Sequence, residues 1–174
     1  MGHQDFGGDV AKMIRAVGTI PVTDICVPSY RDDDREGVLI PWFSSVYLEL
    51  ASGDYLRVEA LKYEGLLRLG LVSSVDEPPE LKEEDFEFVI ASFAALYMGH
   101  LVAPQRITAS RWVIDPASLK LHCMELRFAN DSVVFFDPEW PLGMKLGDRH
   151  AYGQWINDHE ETMLCQHESE TQLG

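Results

Sequence analysis

Histidine, cysteine and carboxylate side chains gather most densely at His159, Glu160, Cys165 and His167, and by residue type these are ligands for a zinc-class ion. Their spacing fits neither H-E-x-x-H nor C-x-x-C, and residues 158–174 read as an acidic C-terminal tail, so no metal is expected. Nucleophilic catalysis would need a Ser or Cys on a strained turn beside a His. The chain has no G-x-S-x-G, and Cys123 falls in a predicted strand, where a cysteine is a packing residue. His100 sits in an apolar stretch and reads as a core or helix-end residue. Gly65 and Gly70 have the spacing of a phosphate loop but are followed by Leu71-Val72 rather than Lys-Ser or Lys-Thr. No catalytic residue and no cofactor is therefore expected. An enzyme assembled from scattered residues around His100, His122 and the C-terminal histidines is the alternative.

Two acidic runs and one tryptophan carry the stronger signal. Asp32, Asp33, Asp34 and Glu36 form one run, and Glu80, Glu83 and Glu84 belong to a second that extends from Asp76 to Glu87 around Pro78-Pro79. Dense like charge in loops or at a helix entry marks a solvated face or a surface for a cationic partner, and it raises association rate through steering. The segment Asp137-Pro138-Glu139-Trp140-Pro141-Leu142-Gly143 reads as a strand ended by an Asp-Pro turn, with Gly143 free to take positive φ. Trp140 there is either a plug at the rim of the core or a partly exposed anchor for a partner.

The elements that would position these residues follow from periodicity. Val10, Met13, Ile14 and Val17 fall at helical spacing, with Asp9 as N-cap and Gly18 just past the end, which predicts a short amphipathic helix covering a sheet. Tyr47 to Leu50 and Tyr55 to Val58 alternate around the turn Ala51-Ser52-Gly53-Asp54. Met124 to Phe128 and Ser132 to Phe136 do the same around Ala129-Asn130-Asp131, which predicts a second hairpin. The two hairpins match at a single offset, Leu48 with Leu126 and Gly65 with Gly143, so they are either a duplicated β unit or two hairpins sharing turn chemistry. Between them, Phe86, Ile90, Phe93, Ala94, Tyr97 and Leu101 fit a helical stripe, which predicts a central buried helix starting near Glu83. The fold class expected is α+β, with antiparallel hairpins around that helix and one domain over residues 1–157.

Composition sets the outer limits. A chain of 174 residues with 46% apolar content suits one folded core. The net charge of −15, with 14 scattered Lys and Arg, argues against nucleic-acid binding and against an anionic membrane surface. Three distant cysteines form no disulfide pattern, and the first eight residues lack the basic and apolar regions of a secretory signal, which together predict a cytoplasmic protein.

In overall character and in the stretch Asp137 to Gly143, the chain resembles immunity proteins of bacterial polymorphic-toxin and contact-dependent inhibition systems. The resemblance implies an antidote that binds and neutralises a cognate toxin domain, so a protein partner is expected. An acidic nucleic-acid-mimic inhibitor would share the same charge.

Overall fold

The computed structural model describes residues 10–32, 34–83, 86–99, 104–162 and 168–173. The architecture is mostly β, an antiparallel sheet system with a few short helices. Helix α1 (Val10–Gly18) buries Met13, Ile14 and Val17, as its periodicity predicts; Asp9 lies outside the described residues. A meander follows: β1 (Val22–Arg31), β2 (Leu39–Pro41), β3 (Ser45–Leu50), β4 (Tyr55–Leu61) and β5 (Leu66–Val72). After a one-turn helix α2 (Pro79–Glu83), β6 (Phe88–Ser92) pairs antiparallel with β1.

The second half follows the same order without a counterpart to β2. A single turn α3 (Ala94–Tyr97) precedes β7 (Ile107–Ile114), β8 (Leu121–Phe128), β9 (Val133–Trp140) and β10 (Gly143–Gly147). Helix α4 (Ala151–Asp158) then leads to β11 (Glu168–Gln172), which pairs with β7. The region expected as a tail thus contributes a strand whose Thr171 is buried.

Both hairpins form where alternation and turn residues place them. Leu48 faces Leu56 across β3 and β4, and Leu126 faces Val134 across β8 and β9, the same pair shifted by 78 positions (48 to 126, 56 to 134). The inner faces of the two meanders meet in one core: Val46, Leu48, Leu56 and Val58 from the first pack in the same cluster as Met124, Leu126, Val134 and Phe136 from the second. Strand β5 touches β8 through the pair Leu67 and Leu121.

The expected central helix is replaced by a strand and one turn. Phe88 to Ser92 pairs with Tyr30 to Cys26, and after it Ala94 to Tyr97 is helical, ending before Gly99 at φ +94°, while Leu101 lies outside the described residues. The apolar run satisfied both periods, and the partner strand decided between them. Phe86 and Ile90 are consequently exposed rather than buried, while Phe93 and Tyr97 are partly buried against the core. Strand β9 also runs through Asp137-Pro138 to Trp140 instead of stopping there, with an irregularity in the register near Gly143. No helix among the described residues is long and apolar enough to cross a membrane.

Candidate partner-binding surface

Strand pairing determines which loops share an end of the molecule. The backbone N–H of Arg31, the last residue of β1, donates to the Glu87 carbonyl, and the Arg31 guanidinium lies 2.7 Å from the Glu87 carboxylate. The turn that follows β1 therefore sits beside the entry to β6. Asp32 and Asp34 belong to that turn, where the Asp34 N–H donates to the Asp32 carboxylate at 3.0 Å, and Glu36 is exposed on it. Glu80 and Glu83 lie on α2, and Glu80 approaches Lys62 of the β4–β5 turn at 4.0 Å. Asp33 and Glu84 lie outside the described residues.

Trp140 reaches the same end by another route. A Cβ built on Gly143 (φ +120°) would come 2.4 Å from the Phe43 carbonyl oxygen, so the Trp140–Gly143 turn lies against the β2–β3 link, and only glycine fits there. Glu139 lies against Gly65 of the β4–β5 turn. The β7–β8 turn joins them, because the Lys120 ammonium sits 2.7 Å from the Glu64 carboxylate.

Loops that are far apart in sequence thus meet at one end, and that end is apolar as well as acidic. Among the described residues nine large hydrophobic side chains are exposed, and seven of them, Val38, Leu39, Tyr63, Phe86, Leu119, Trp140 and Leu142, belong to these loops and strand ends. Tyr63 is 95% exposed and Trp140 40% exposed. Tyr30 stacks on Phe86 with centroids 4.4 Å apart and meets Trp42 edge-on at 6.4 Å. Aromatic side chains half open to solvent within a charged rim are the usual anatomy of an interface anchor. Among these loop acids, Asp115 is held below the ordinary carboxylate range by the Ser118 hydroxyl, so it stays anionic.

Sequence spacing missed a second group. Asp24 and Cys26 on β1 and Glu49 on β3 bring their ligand atoms within 4.8 Å of one another, and among the described residues they are the group that could hold a metal ion. Burial, with Asp24 and Glu49 adding to it, pushes the Cys26 thiol up to about 12, so it is protonated at neutral pH. Both carboxylates are already engaged: Asp24 accepts from Ser92 at 2.7 Å and Glu49 from Thr23 at 2.9 Å. The register pair Asp24 and Glu49, 25 positions apart in sequence, is what assembles the group.

Of the C-terminal ligand candidates, His159 and Glu160 fall among the described residues. His159 stacks on Trp155 at 3.9 Å, and its ring nitrogens engage the Trp155 carbonyl and the Glu139 carboxylate. Glu160 begins a 3-10 turn, while His100, Cys165 and His167 lie outside the described residues. Cys123 is buried in its strand, in keeping with a packing role.

No protein-family model matches the chain, and no curated protein or solved structure matches it.

Proposed function

We propose that the chain is a protein-binding antidote of the immunity class, which seats a basic toxin domain on the end formed by the β1–β2, β4–β5, β7–β8 and β9–β10 turns together with α2. One observation carries the reading. The acidic residues Asp32, Asp34, Glu36, Glu80 and Glu83 and seven exposed hydrophobic side chains share that end. Carboxylates speed the arrival of a cationic partner, and the apolar side chains supply the area that holds it. The matched registers of the two hairpins further support a duplicated β unit as the origin of the two meanders.

Association with a basic toxin domain encoded beside this chain tests the proposal. A one-to-one complex is expected, with an association rate that drops by about tenfold or more between low and high salt. Replacing Asp32 and Asp34 with Asn and Glu36 with Gln slows association at low salt, whereas Trp140→Ala mainly speeds dissociation. If both variants remain folded and bind as the parent does, the partner surface lies elsewhere.

A further inference from the structure

Among the described residues, β2 and β6 pair only with β1, β10 only with β9 and β11 only with β7, so each presents one open edge. An open edge is a template for another strand, and proteins guard it with charge, proline, irregularity or brevity. Strand β2 is three residues long and ends on Pro41. Strand β11 carries Glu168 and Glu170. Strand β10 carries Lys145 next to a register irregularity, and its Met144 N–H donates to the Phe43 carbonyl. Strand β6 is the exception: its five residues, Phe88-Val89-Ile90-Ala91-Ser92, include no charge, proline or glycine.

The ladder determines which groups face outward. The Arg31 N–H donates to the Glu87 carbonyl and the Phe93 N–H to the Ile25 carbonyl, so the odd-numbered residues of this stretch bond to β1. By the alternation of antiparallel pairing, Phe88, Ile90 and Ser92 turn their N–H and C=O groups away from β1. Ile90 is 47% exposed in the middle of the strand, and Ser92 is exposed beside it. The face of β1 around Cys26 is closed by Tyr47, Val72 and Val75, so what β6 offers is the backbone of its edge and not an open sheet face.

We propose that the open edge of β6 takes up an extended segment of a partner protein as a further strand, with Lys or Arg flanking the paired residues. The inference rests on the partner-binding reading above and specifies how the partner's backbone is held. Charge selects the occupant. Glu87, bound to Arg31, and the neighbouring Asp32 lie at one end of β6, and Asp24, which accepts from the Ser92 hydroxyl at 2.7 Å, lies at the other. A strand of this length spans about 17 Å, so a partner segment of about seven residues reaches both acidic ends. A second copy pairing antiparallel through its own β6 would set the Glu87 end of each strand against the Asp24 end of the other, acid against acid.

A synthetic peptide of about nine residues, alternating Val and Thr with Lys at both ends, serves as the probe. Its controls are the same peptide N-methylated through its centre, which removes strand hydrogen bonding and keeps the charge, and a version with Glu in place of Lys. Binding is read by calorimetry and by amide exchange followed by NMR. In the free protein the Val89 and Ala91 amides are expected to be protected, and those of Phe88, Ile90 and Ser92 to exchange faster. The Lys peptide is expected to slow exchange at these three by about tenfold or more and to bind at least about tenfold more tightly than either control. Ile90→Pro removes an outward N–H and no bond to β1, so it should fold, as a thermal melt verifies, and lose the binding, while Ile90→Thr keeps it. Equal binding of the Lys peptide and its N-methylated form, without protection of the three amides, overturns the edge and leaves the acidic surface in place. A toxin domain that binds Ile90→Pro as tightly as the parent chain likewise overturns the edge and leaves the antidote reading standing, whereas failure of both the Lys peptide and the toxin domain to bind at low salt removes both readings. Protection of the three amides in the free protein that rises with protein concentration also overturns the proposal, because the occupant would then be a second copy.

Discussion

Cys26 illustrates how a single side chain takes its chemistry from strand register. Its own position in sequence suggests a small buried hydrophobe, but the pairing of β1 with β3 places it beside Asp24 and Glu49 in a buried setting. A thiol raised to about 12 carries thiolate at pH 8 in a fraction on the order of 10³ below that of a free cysteine with an ordinary value near 8.5. Alkylation at pH 8, followed by peptide mapping to read each cysteine separately, should therefore leave Cys26 far slower to react than in an unfolded control. Asp24→Asn removes one of the two nearby charges and is expected to speed the reaction modestly, because burial is the larger cause. Labelling of Cys26 at the rate of a free thiol would contradict the arrangement. None of this was legible from spacing, since Asp24 and Glu49 become neighbours only through a non-local pairing. Asp137 is similar in kind: burial raises its carboxyl above the ordinary range even though the Glu139 N–H donates to it, and the sequence suggested only a turn residue there.

The elements divide into those that local pattern determines and those that a partner determines. Helix α1 and both hairpins were legible because alternation or helical spacing coincided with turn chemistry, as at Gly53 with φ +92° and Asp131 with φ +63°. Strand β6 was not, since Phe86, Ile90, Phe93 and Tyr97 fit a helical stripe while Phe88 and Ile90 also alternate with Val89 and Ala91. Pairing with Pro28 and Tyr30 offered the backbone a ladder, and that outweighed a weak local preference. Helix α4 depends on its neighbours too. It is held by Arg111, whose guanidinium makes two hydrogen bonds to Glu125 at 2.9 and 3.0 Å and lies 4.2 Å from the Tyr152 ring centroid. The Glu125 side chain is only 3% exposed, so removing Arg111 leaves a buried carboxylate without its cation. The guanidinium is about one-third exposed, which moderates the loss below that of a fully buried pair. Arg111→Ala is expected to cost about 2–3 kcal/mol, measured by denaturant unfolding, and Arg111→Ala with Glu125→Gln to recover part of it. A cost under about 0.5 kcal/mol would mean that the pair is no more than a surface contact.

At the scale of the whole molecule, the two meanders are joined by their interior rather than by their edges. Each contributes one apolar face to a single cluster, so the core residues of the first half pack against those of the second and neither half has a closed core alone. The strand contact between them is slight by comparison, one register pair between β5 and β8. The loop-bearing end proposed to bind a partner is a product of this arrangement, because the turns after β1, β4, β7 and β9 come together only when both meanders are folded. Stability of that loop end and stability of the core should therefore be one quantity. Leu48 and Leu126 occupy matching places in the two hairpins and are both fully buried, so Leu48→Ala and Leu126→Ala are each expected to cost about 2–5 kcal/mol. The sharper test is cooperativity. If the shared core binds the halves together, either substitution lowers the midpoint of the same single transition, with far-UV circular dichroism and tryptophan fluorescence coinciding throughout. Trp42 reports from the first half and Trp112 and Trp155 from the second, so a half that melted on its own would separate the two signals. Two resolved transitions, with Leu48→Ala shifting only one of them, would show instead that each meander is an independent unit and that the loops at this end can part without unfolding the rest.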